Sequence, residues 1–326
     1  MKLSEYAWYW YKNYRMVKQA KATQSVFTGI LKNHICPSAL GSMELAAIRT
    51  NDVQIFLTEE LLHGCQTHLR HLDKRGTGLA PRTVGRMRQI LIAIFRQAER
   101  EGYISQNPAE WSEPIPVPWQ DAPVFTPENQ RKFLAATKNH RFHLAYVLLF
   151  FLGCRRSEIL GLSWDAIDFR RSTLRIKQTL IMEKGQPMLK DRTKTKSSLR
   201  ILPLPKEIKL MLQEHRQQQK EESKTPGYHN EHNLVFTNKD GTPHNPQYFS
   251  RNFKNAIKRL DFLPNSLHVH STRHTWATNM IQCGIPITDA QHLGGWARPD
   301  ILLNVYAHTV QEGQRKAMKK LFKELQ

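Results

Sequence analysis

The stretch HVHSTRHTW, residues 268–276, carries three histidines and one arginine within nine positions. His270 and Arg273 are three positions apart, so on a helix their side chains would share one face. A guanidinium is a permanent cation with planar hydrogen-bond donors, and an imidazole gives or takes a proton near neutral pH, so the pair suits a phosphate group. An HxxR pair is nevertheless a common coincidence. Its meaning depends on what else the chain contains.

Three further stretches contain groups of the same kind: GCRRSEILGL (153–162), RTKTKSSLR (192–200) and GGWARPDILLNVYAHT (294–309). The first has two arginines after a glycine turn, the second has two lysines in a turn between predicted strands, and the third has one tyrosine after an apolar run. A single arginine is usually a surface residue, and a tyrosine on an apolar helix is usually a core residue, so each stretch alone predicts little. The candidate residues in them are Arg155, Glu158, Lys194, Lys196, Trp296 and Tyr306.

The chain is strongly basic. Its 326 residues include 48 Lys and Arg against 28 Asp and Glu, a formal net charge of +20. Such a charge favours a polyanionic partner, with nucleic acid as the first candidate and an anionic membrane surface as the second. The longest apolar run, AYVLLFFLG (145–153), is far shorter than the roughly 20 residues of a spanning helix, which argues against a membrane and predicts a buried core helix. The scattered cysteines indicate reduced thiols in the cytoplasm, where the nucleoid lies.

Composition divides the chain into two domains. Residues 1–107 are predicted to be helical, with Thr50 and Asn51 as caps of one helix, and residues 108–125 are a proline-rich linker. Residues 126–326 form the second domain. A basic helix in GLAPRTVGRMRQILIAIFRQAEREG has a polar face that would by default be solvated, but the net charge of the chain favours contact with DNA. The arginines expected to make that contact are Arg82, Arg86 and Arg88.

The second domain begins with clear local signals. Thr126 before Pro127 predicts the start of a helix, because threonine caps the helix and proline fits its first position. Alternation of apolar and polar residues, a turn at Gly185 and the β-rich RILPL predict a small three-stranded antiparallel sheet over 173–204.

In their chain order, the four stretches resemble the tyrosine recombinase, or phage integrase, family. The family pattern is Gly-x-Arg-x-Ser-Glu, a Lys in a β-turn, His-x-x-Arg-His-Thr, and a His or Trp shortly before a Tyr that x-His often follows. This chain has GCRRSE, KTKSS, HSTRHT and GGW…NVYAH at those places. Where the family commonly has Leu-Gly-His, this chain has LGGW. Almost the whole chain is covered, because residues before the linker look like the helical core-binding domain of integrases.

The resemblance implies a mainly α fold with a small antiparallel β-sheet, in which a helical core-binding domain and a mixed α/β catalytic domain clamp a DNA duplex. It implies that Tyr306 is the nucleophile. Attack on a phosphodiester places extra negative charge on the nonbridging oxygens, and guanidiniums stabilise that charge with bidentate donors. This role is expected for Arg155 and Arg273.

The remaining candidates are expected to handle protons and hold the site together. The leaving 5′-hydroxyl needs a proton, and a lysine whose pKa is lowered by nearby arginines can supply it. Lys194 is the predicted general acid, with Lys196 as the alternative, and Lys196 is also expected to contact DNA. His270 is expected to orient the phosphate and handle the tyrosine proton, and the indole N–H of Trp296 to donate to a nonbridging oxygen. Glu158 is expected to brace the cluster.

The implied function is site-specific DNA recombination through a 3′-phosphotyrosyl intermediate, by a homotetramer on two double-stranded sites that is a monomer when free. Accessory DNA-bending or directionality factors are further expected partners. No cofactor is expected, and no metal, because nothing near His268, His270 and His274 completes a zinc site. Two alternatives stay open: a catalytically inactive DNA-binding relative, and an enzyme like the type IB topoisomerases.

The end of the chain, EGQRKAMKKLFKELQ (312–326), is predicted to be a helix with a narrow apolar stripe. The stripe packs either on its own domain or, as the resemblance implies, on a neighbouring protomer. Its residues are Met318, Leu321, Phe322 and Leu325.

Overall fold

The computed structural model describes residues 1–19, 21–65, 68–69, 72–73, 76–118, 121–183, 185–191, 199–299, 302 and 322. The chain divides into two compact units, Met1–Gln120 and Asp121–Gln326. Lys194, Lys196 and Tyr306 lie outside the described residues, so the roles predicted for them stay predictions.

The first unit is helical. Its helices are α1 (Leu3–Trp10), α2 (Lys21–Ile30), α3 (Ala39–Ser42), α4 (Thr50–His63) and α5 (Pro81–Arg100), with shorter helical turns at Tyr11–Arg15, Met16–Lys18, Leu31–Ile35 and Leu45–Ala47. A short antiparallel pair, β1 (His68–Leu69) and β2 (Leu72–Asp73), follows α4. The predicted basic helix is α5. Its apolar residues recur every three or four positions, and Val84, Leu91 and Phe95 are buried in the core of the unit.

The start of α4 differs from the prediction. Thr50 and Asn51 are not its caps, because the helix begins at Thr50 and Arg49 occupies the cap position. The carboxylate of Asp52, in the first turn, accepts a hydrogen bond from the Arg49 backbone N–H at 2.8 Å. An acidic residue there satisfies an end N–H group and complements the helix dipole, so no hydroxyl cap is needed.

Residues 107–112, where the composition changes, fold onto the first unit. The Asn107 side chain donates to the Ile92 carbonyl at 3.0 Å and accepts from the Ala109 N–H at 3.0 Å. Ser112 is buried, and its hydroxyl donates to the Ala109 carbonyl at 2.8 Å. These bonds satisfy backbone groups that would otherwise require water. The boundary between the units lies after these residues.

The second unit surrounds one apolar helix. Its helices are α6 (Pro127–Ala136), α7 (His143–Leu152), α8 (Arg156–Leu160), α9 (Lys206–Glu222), α10 (Pro246–Lys258), α11 (Val269–Gln282) and α12 (Ile287–Gly294), and a short helical turn lies at Trp164–Ala166. The predicted core helix is α7, which is buried on nearly every side. The start of α6 is also confirmed, since the Thr126 hydroxyl accepts from the Asn129 N–H at 3.1 Å.

The strands of the second unit form two small sheets rather than one. They are β3 (Ile167–Asp168), β4 (Thr173–Ile176), β5 (Gln178–Glu183), β6 (Gln186–Asp191) and β7 (Arg200–Pro203). Strands β3, β4 and β7 form a three-stranded antiparallel sheet, whereas β5 and β6 form a separate hairpin. The alternation that begins at Thr173 is interrupted at Lys177. Among the described strands, β4 pairs with β3 and β7, whereas β5 pairs with β6. The hairpin turn contains Gly185 at φ +83°, in the left-handed region that favours glycine.

The fold class is confirmed, because the described residues are mainly helical with small antiparallel sheets. Among them, no helix combines the length and the apolar character that crossing a membrane requires.

Candidate active site

Arg155 lies at the N-terminal end of α8, directly after a left-handed turn at Gly153. Gly153 has a φ of +60°, and a Cβ there would come within 2.4 Å of the Trp276 ring, so the position requires glycine. The Arg155 backbone N–H donates to the Glu158 carboxylate at 2.8 Å. Its guanidinium donates to the same carboxylate at 2.9 Å and to the Gly295 carbonyl at 3.0 Å. The side chain stays 31% exposed, which leaves part of it accessible to a ligand.

Arg273 lies on α11 and is only 2% exposed. Its Nη1 donates to the Gly153 carbonyl at 2.6 Å, whereas Nη2 is buried without a hydrogen-bond partner among the described residues. Its Cζ atom lies 3.7 Å from the centroid of the Trp296 ring, a cation–π contact. Burial, together with the positive charge of Arg155, lowers the pKa of Arg273 to about 9. The guanidinium therefore remains a cation at neutral pH and has one donor group to offer.

His270 lies in the first turn of α11, one turn before Arg273. Its ring is 4.6 Å from the ring of His274 and nearly perpendicular to it. His270 is exposed to solvent, but enough protein atoms surround its ring to desolvate it partly. This desolvation, with the positive charge of Arg273, lowers the pKa of His270 to about 4. The ring is therefore neutral at physiological pH and can accept a proton.

Trp296 follows the glycine turn that ends α12. Its ring stacks on Trp276, with the centroids 6.0 Å apart and the planes at 19°. A Cβ on Gly294 would come within 1.7 Å of the Trp296 ring, so the first glycine of LGGW makes room for the indole. The structure gives the Trp296 ring a contact with Arg273, while donation from its N–H to a phosphate stays a prediction.

Glu158 is fully buried and binds two arginines. Arg200, at the start of β7, donates to the two Glu158 carboxylate oxygens at 2.8 and 3.3 Å. Burial raises the pKa of the Glu158 carboxyl, but the hydrogen bonds and charge of Arg200, with the charge of Arg155, outweigh it and hold the pKa at about 2. Glu158 thus contacts Arg155 as an anion, which is what a bracing role requires.

Arg200 is a site residue that the sequence reasoning missed. Within RILP, Arg200 and Leu202 are buried while Ile201 and Pro203 are exposed, so the strand alternation places the arginine on the core side. An arginine is almost never fully buried unless it is paired. The position of Arg200 on the buried side of the strand alternation is therefore the signal that could have identified it. The acidic partner is 42 positions away, where no local pattern identifies it.

The arginines predicted to contact DNA lie in the first unit and differ in their surroundings. Arg82 and Arg86 are exposed on α5. Arg88 is half-buried, and its guanidinium donates to the Ser112 carbonyl at 2.6 Å and to the Glu110 carbonyl at 3.0 Å. Arg88 is therefore engaged within its own unit.

In the second unit Arg155 contacts Glu158 and Arg273 contacts Trp296. The charges of Arg155 and Glu158 act on Arg273, and His270 lies one helical turn from it. Within the described part of the chain, no group of three or more His, Cys, Asp or Glu side chains is arranged to hold a metal ion.

The model of the phage integrase family matches residues 123–312. The chain is 29% identical over 320 residues to a tyrosine recombinase XerC-like protein of Caldanaerobacter subterraneus subsp. tengcongensis, covering 92% of this chain and 77% of that protein. It is 26% identical over 248 residues to the ICEBs1 integrase of Bacillus subtilis, covering 75% of this chain and 66% of that integrase. Its fold is similar to that of the Tn1549 transposon integrase, solved in complex with transposon right end DNA. That match has a TM-score of 0.81 at 20% identity and covers 98% of this chain and 99% of the other.

The family match spans more than half of the chain, and it includes both arginines, the histidine and the tyrosine of the predicted site. The chain therefore belongs to the phage integrase family and is a DNA breaking-and-rejoining enzyme of the tyrosine recombinase type.

Proposed function

We propose that the chain is a site-specific recombinase that cuts and rejoins DNA through Tyr306. The observation that carries the proposal is the buried Nη2 of Arg273, which has no hydrogen-bond partner among the described residues and lies in the same charged cluster as Arg155. A buried donor without a partner costs about 1–3 kcal/mol, and an oxygen of a bound phosphate would satisfy it. The site is thus suited to an anion with several oxygens.

The two arginines stabilise the transition state. In-line attack on a phosphodiester gives a five-coordinate phosphorus whose nonbridging oxygens carry more negative charge than in the ground state. The Arg155 side chain stays partly accessible, and Arg273 contributes Nη2, which has no hydrogen-bond partner in the described part of the chain. Because both groups are fixed by protein acceptors before the substrate binds, little reorganisation is needed during the reaction.

The covalent step replaces one phosphate ester by another. The phenolic oxygen of Tyr306 attacks phosphorus, and the bond from phosphorus to the 5′-oxygen breaks, which leaves a 3′-phosphotyrosyl bond. The phenol has a pKa of about 10 and must lose its proton, which His270 accepts. The bound phosphate anion raises the pKa of His270 from its low value, because an opposite charge favours the imidazolium. The 5′-oxygen takes a proton from Lys194, with Lys196 as the alternative donor.

Rejoining is the same step in reverse, with a 5′-hydroxyl as the nucleophile, so no nucleotide is consumed. The DNA partner is a pair of double-stranded sites at the ends of a mobile element, a proposal supported by the integrase relatives. Four protomers assemble on these sites from free monomers, and the enzyme acts in the cytoplasm on nucleoid DNA. Arg82 and Arg86 contact the DNA backbone from the first unit.

The test is covalent trapping on a nicked duplex. The DNA sequence comes from the junctions that form when the protein acts on DNA flanking its own coding region. The wild-type protein is expected to form a covalent protein–DNA adduct on a denaturing gel, and Tyr306→Phe is expected to bind the duplex normally without forming one. A surviving adduct in Tyr306→Phe would place the nucleophile elsewhere.

The wild-type protein also separates the two alternatives. Binding without any adduct would identify an inactive DNA-binding relative. Relaxation of a supercoiled plasmid that lacks the junction sequence would identify a topoisomerase.

A further inference from the structure

Arg200 is connected to both groups that hold Arg155. The Arg155 guanidinium donates to Glu158 and to the Gly295 carbonyl. Arg200 binds Glu158 directly, and its Nε donates at 2.7 Å to the carbonyl of Leu293, at the start of the same glycine turn. A Cβ on Gly295 would come within 2.8 Å of Arg200 Nη1, so the turn rests against this guanidinium.

Glu158 is shared symmetrically by the two arginines. Oxygen Oε1 accepts from Nη1 of Arg155 and from Nη1 of Arg200, while Oε2 accepts from the Arg155 backbone N–H and from Nη2 of Arg200. One carboxylate thus balances two guanidiniums, and the trio keeps one net positive charge. Without Arg200, more of the negative charge of Glu158 would act on Arg155 and offset its positive charge.

Burial excludes a direct role for Arg200 in binding DNA. The residue is 3% exposed and its side chain 1%, compared with 31% for the side chain of Arg155. All three nitrogens of its guanidinium are bound, to Glu158, to the Leu293 carbonyl and, at 3.8 Å, to the Cys154 sulfur. Arg200 can therefore influence the reaction only through its neighbours.

We propose that Arg200 is a positioning residue that holds Arg155 toward the scissile phosphate and preserves its positive charge, by binding both Glu158 and the glycine turn after α12. The inference rests on the proposed function, in which Arg155 stabilises the charge on the nonbridging oxygens. An arginine is needed rather than a lysine, because only the forked guanidinium can donate to a carboxylate and to a carbonyl at the same time.

The experiment compares two substrates in single-turnover cleavage of the nicked junction duplex. One has the natural scissile phosphate, and the other has a methylphosphonate, whose reacting group carries no negative charge. Arg200→Met is expected to cleave the phosphate about 100-fold more slowly than wild type, the scale of a misplaced transition-state contact. On the methylphosphonate its loss is expected to be below about 10-fold, because the charge of Arg155 matters less there.

Two further variants separate charge from geometry. Arg200→Lys retains the buried positive charge but loses the forked guanidinium, and it replaces Arg200→Met if that variant does not fold. It is expected to lose more cleavage activity on the phosphate than on the methylphosphonate, as Arg200→Met does. Adding Glu158→Gln to Arg200→Met removes the carboxylate that neutralises Arg155. The double variant is expected to recover about 10-fold of the phosphate cleavage lost by Arg200→Met.

Arg141→Met is the matched control. Arg141 also donates to a carboxylate, that of Glu222, and to a backbone carbonyl, that of Thr237, but it contacts none of the site residues that the structure describes. It is expected to lower the melting temperature and to affect both substrates equally.

Equal losses on the two substrates for Arg200→Met and Arg200→Lys would reduce Arg200 to a purely structural residue and overturn the inference. No recovery in the double variant would show that the charge of Arg155 is not what Arg200 preserves. If the wild-type protein forms no adduct with the phosphate duplex, the proposed function itself fails, an outcome distinct from either of these.

Discussion

At the scale of single residues, Gly153 helps to set the position of an arginine in the site. The chain makes a left-handed turn at Gly153 against the flat face of Trp276, and the Gly153 carbonyl then holds Arg273. Two requirements coincide at this glycine: a positive φ and the absence of a Cβ. The position therefore links the backbone of α7 to the orientation of a guanidinium on α11.

Gly153→Ala is expected to destabilise the protein by roughly 3 kcal/mol or more, because it adds a steric clash with Trp276 to the strain of a left-handed alanine. Gly185→Ala is the control. Gly185 also has a positive φ, but apart from its chain neighbours no atom of the described residues lies within 4 Å of the place where its Cβ would be, so only the strain of about 1 kcal/mol is expected. Urea denaturation of both variants measures the difference. Equal shifts of the urea midpoint in the two variants would mean that the Trp276 ring moves aside without any loss of stability.

His244 gives the second unit a sensitivity to acid. It is 3% exposed, and burial followed by the positive charge of Arg141 lowers its pKa to about 4. The pKa in the unfolded chain is about 6.5, so between these values the unfolded state binds a proton more readily than the folded state. The free energy of unfolding is therefore expected to fall as the pH drops from about 6.5 to 4, by at most about 3 kcal/mol from this residue.

His244→Gln is expected to make the decline in stability over that pH window shallower, as measured by denaturation at a series of pH values. His232→Gln, the same substitution at an exposed position of the second unit, is the control for the substitution itself. An unchanged slope in His244→Gln would assign the acid sensitivity to other groups.

At the scale of elements, short stretches of sequence were sufficient to predict a helix start or a turn where the contacts that form it lie close together in the sequence. Thr126 caps α6 by accepting a hydrogen bond from a backbone N–H three residues further along, and Gly185 lies in the turn of a hairpin between its two strands. The division into two sheets depends on pairing between β4 and β7, which are separated by the whole hairpin. Alternation in 173–181 is the same for one long strand as for two strands in different sheets, so the sequence could not distinguish them.

The same limit applies to the site. Arg155 and Arg273 could be found because each stands in a recognisable short motif. The function of Arg200 depends on an acid 42 positions before it and a carbonyl 93 positions after it, and only folding brings the three together.

The segment between β6 and β7 carries the predicted general acid, Lys194. A substrate with sulfur in place of the bridging 5′-oxygen has a leaving group that needs no proton, so Lys194→Ala is expected to cleave it nearly as fast as wild type. On the natural phosphate the same variant is expected to lose about 100-fold or more. Cleavage rates on the two substrates measure the rescue. Lys196→Ala is the comparison, and rescue confined to that variant would make Lys196 the acid.

At the scale of the whole molecule, the net charge of +20 is the dominant property. DNA binding is expected to weaken steeply with salt, because each neutralised phosphate releases counterions, with a log–log slope of about −0.9 per contact. Arg86→Ala is expected to reduce the slope by about one contact. Arg88→Ala is expected to leave it unchanged, since the Arg88 guanidinium is bound to Ser112 and Glu110. Binding titrations from low to physiological salt measure the slopes, and a flat response in the wild type would contradict the proposed backbone contacts.

Assembly is expected to depend on the apolar stripe in 312–326. Phe322 is 64% exposed, so at least this member of the stripe is available to a neighbour. Leu321→Glu combined with Phe322→Glu is expected to leave the protein folded and able to bind one half-site, but unable to pair two sites, as measured by a two-colour DNA pairing assay. Lys320→Glu changes charge outside the stripe and is expected to have no such effect. Collapse of the thermal transition in the double variant would show that the stripe packs on its own domain.

The two arginines proposed to stabilise the transition state each donate to a main-chain carbonyl, Arg273 to that of Gly153 and Arg155 to that of Gly295. A carbonyl belongs to every amino acid, so no point mutation can delete it, and its place is set by the path of the backbone. A substitution elsewhere near the site therefore leaves both acceptors in place, provided that the backbone keeps its path. The orientation of both guanidiniums thus depends on the fold itself, which is similar in this chain and in the Tn1549 integrase at 20% identity.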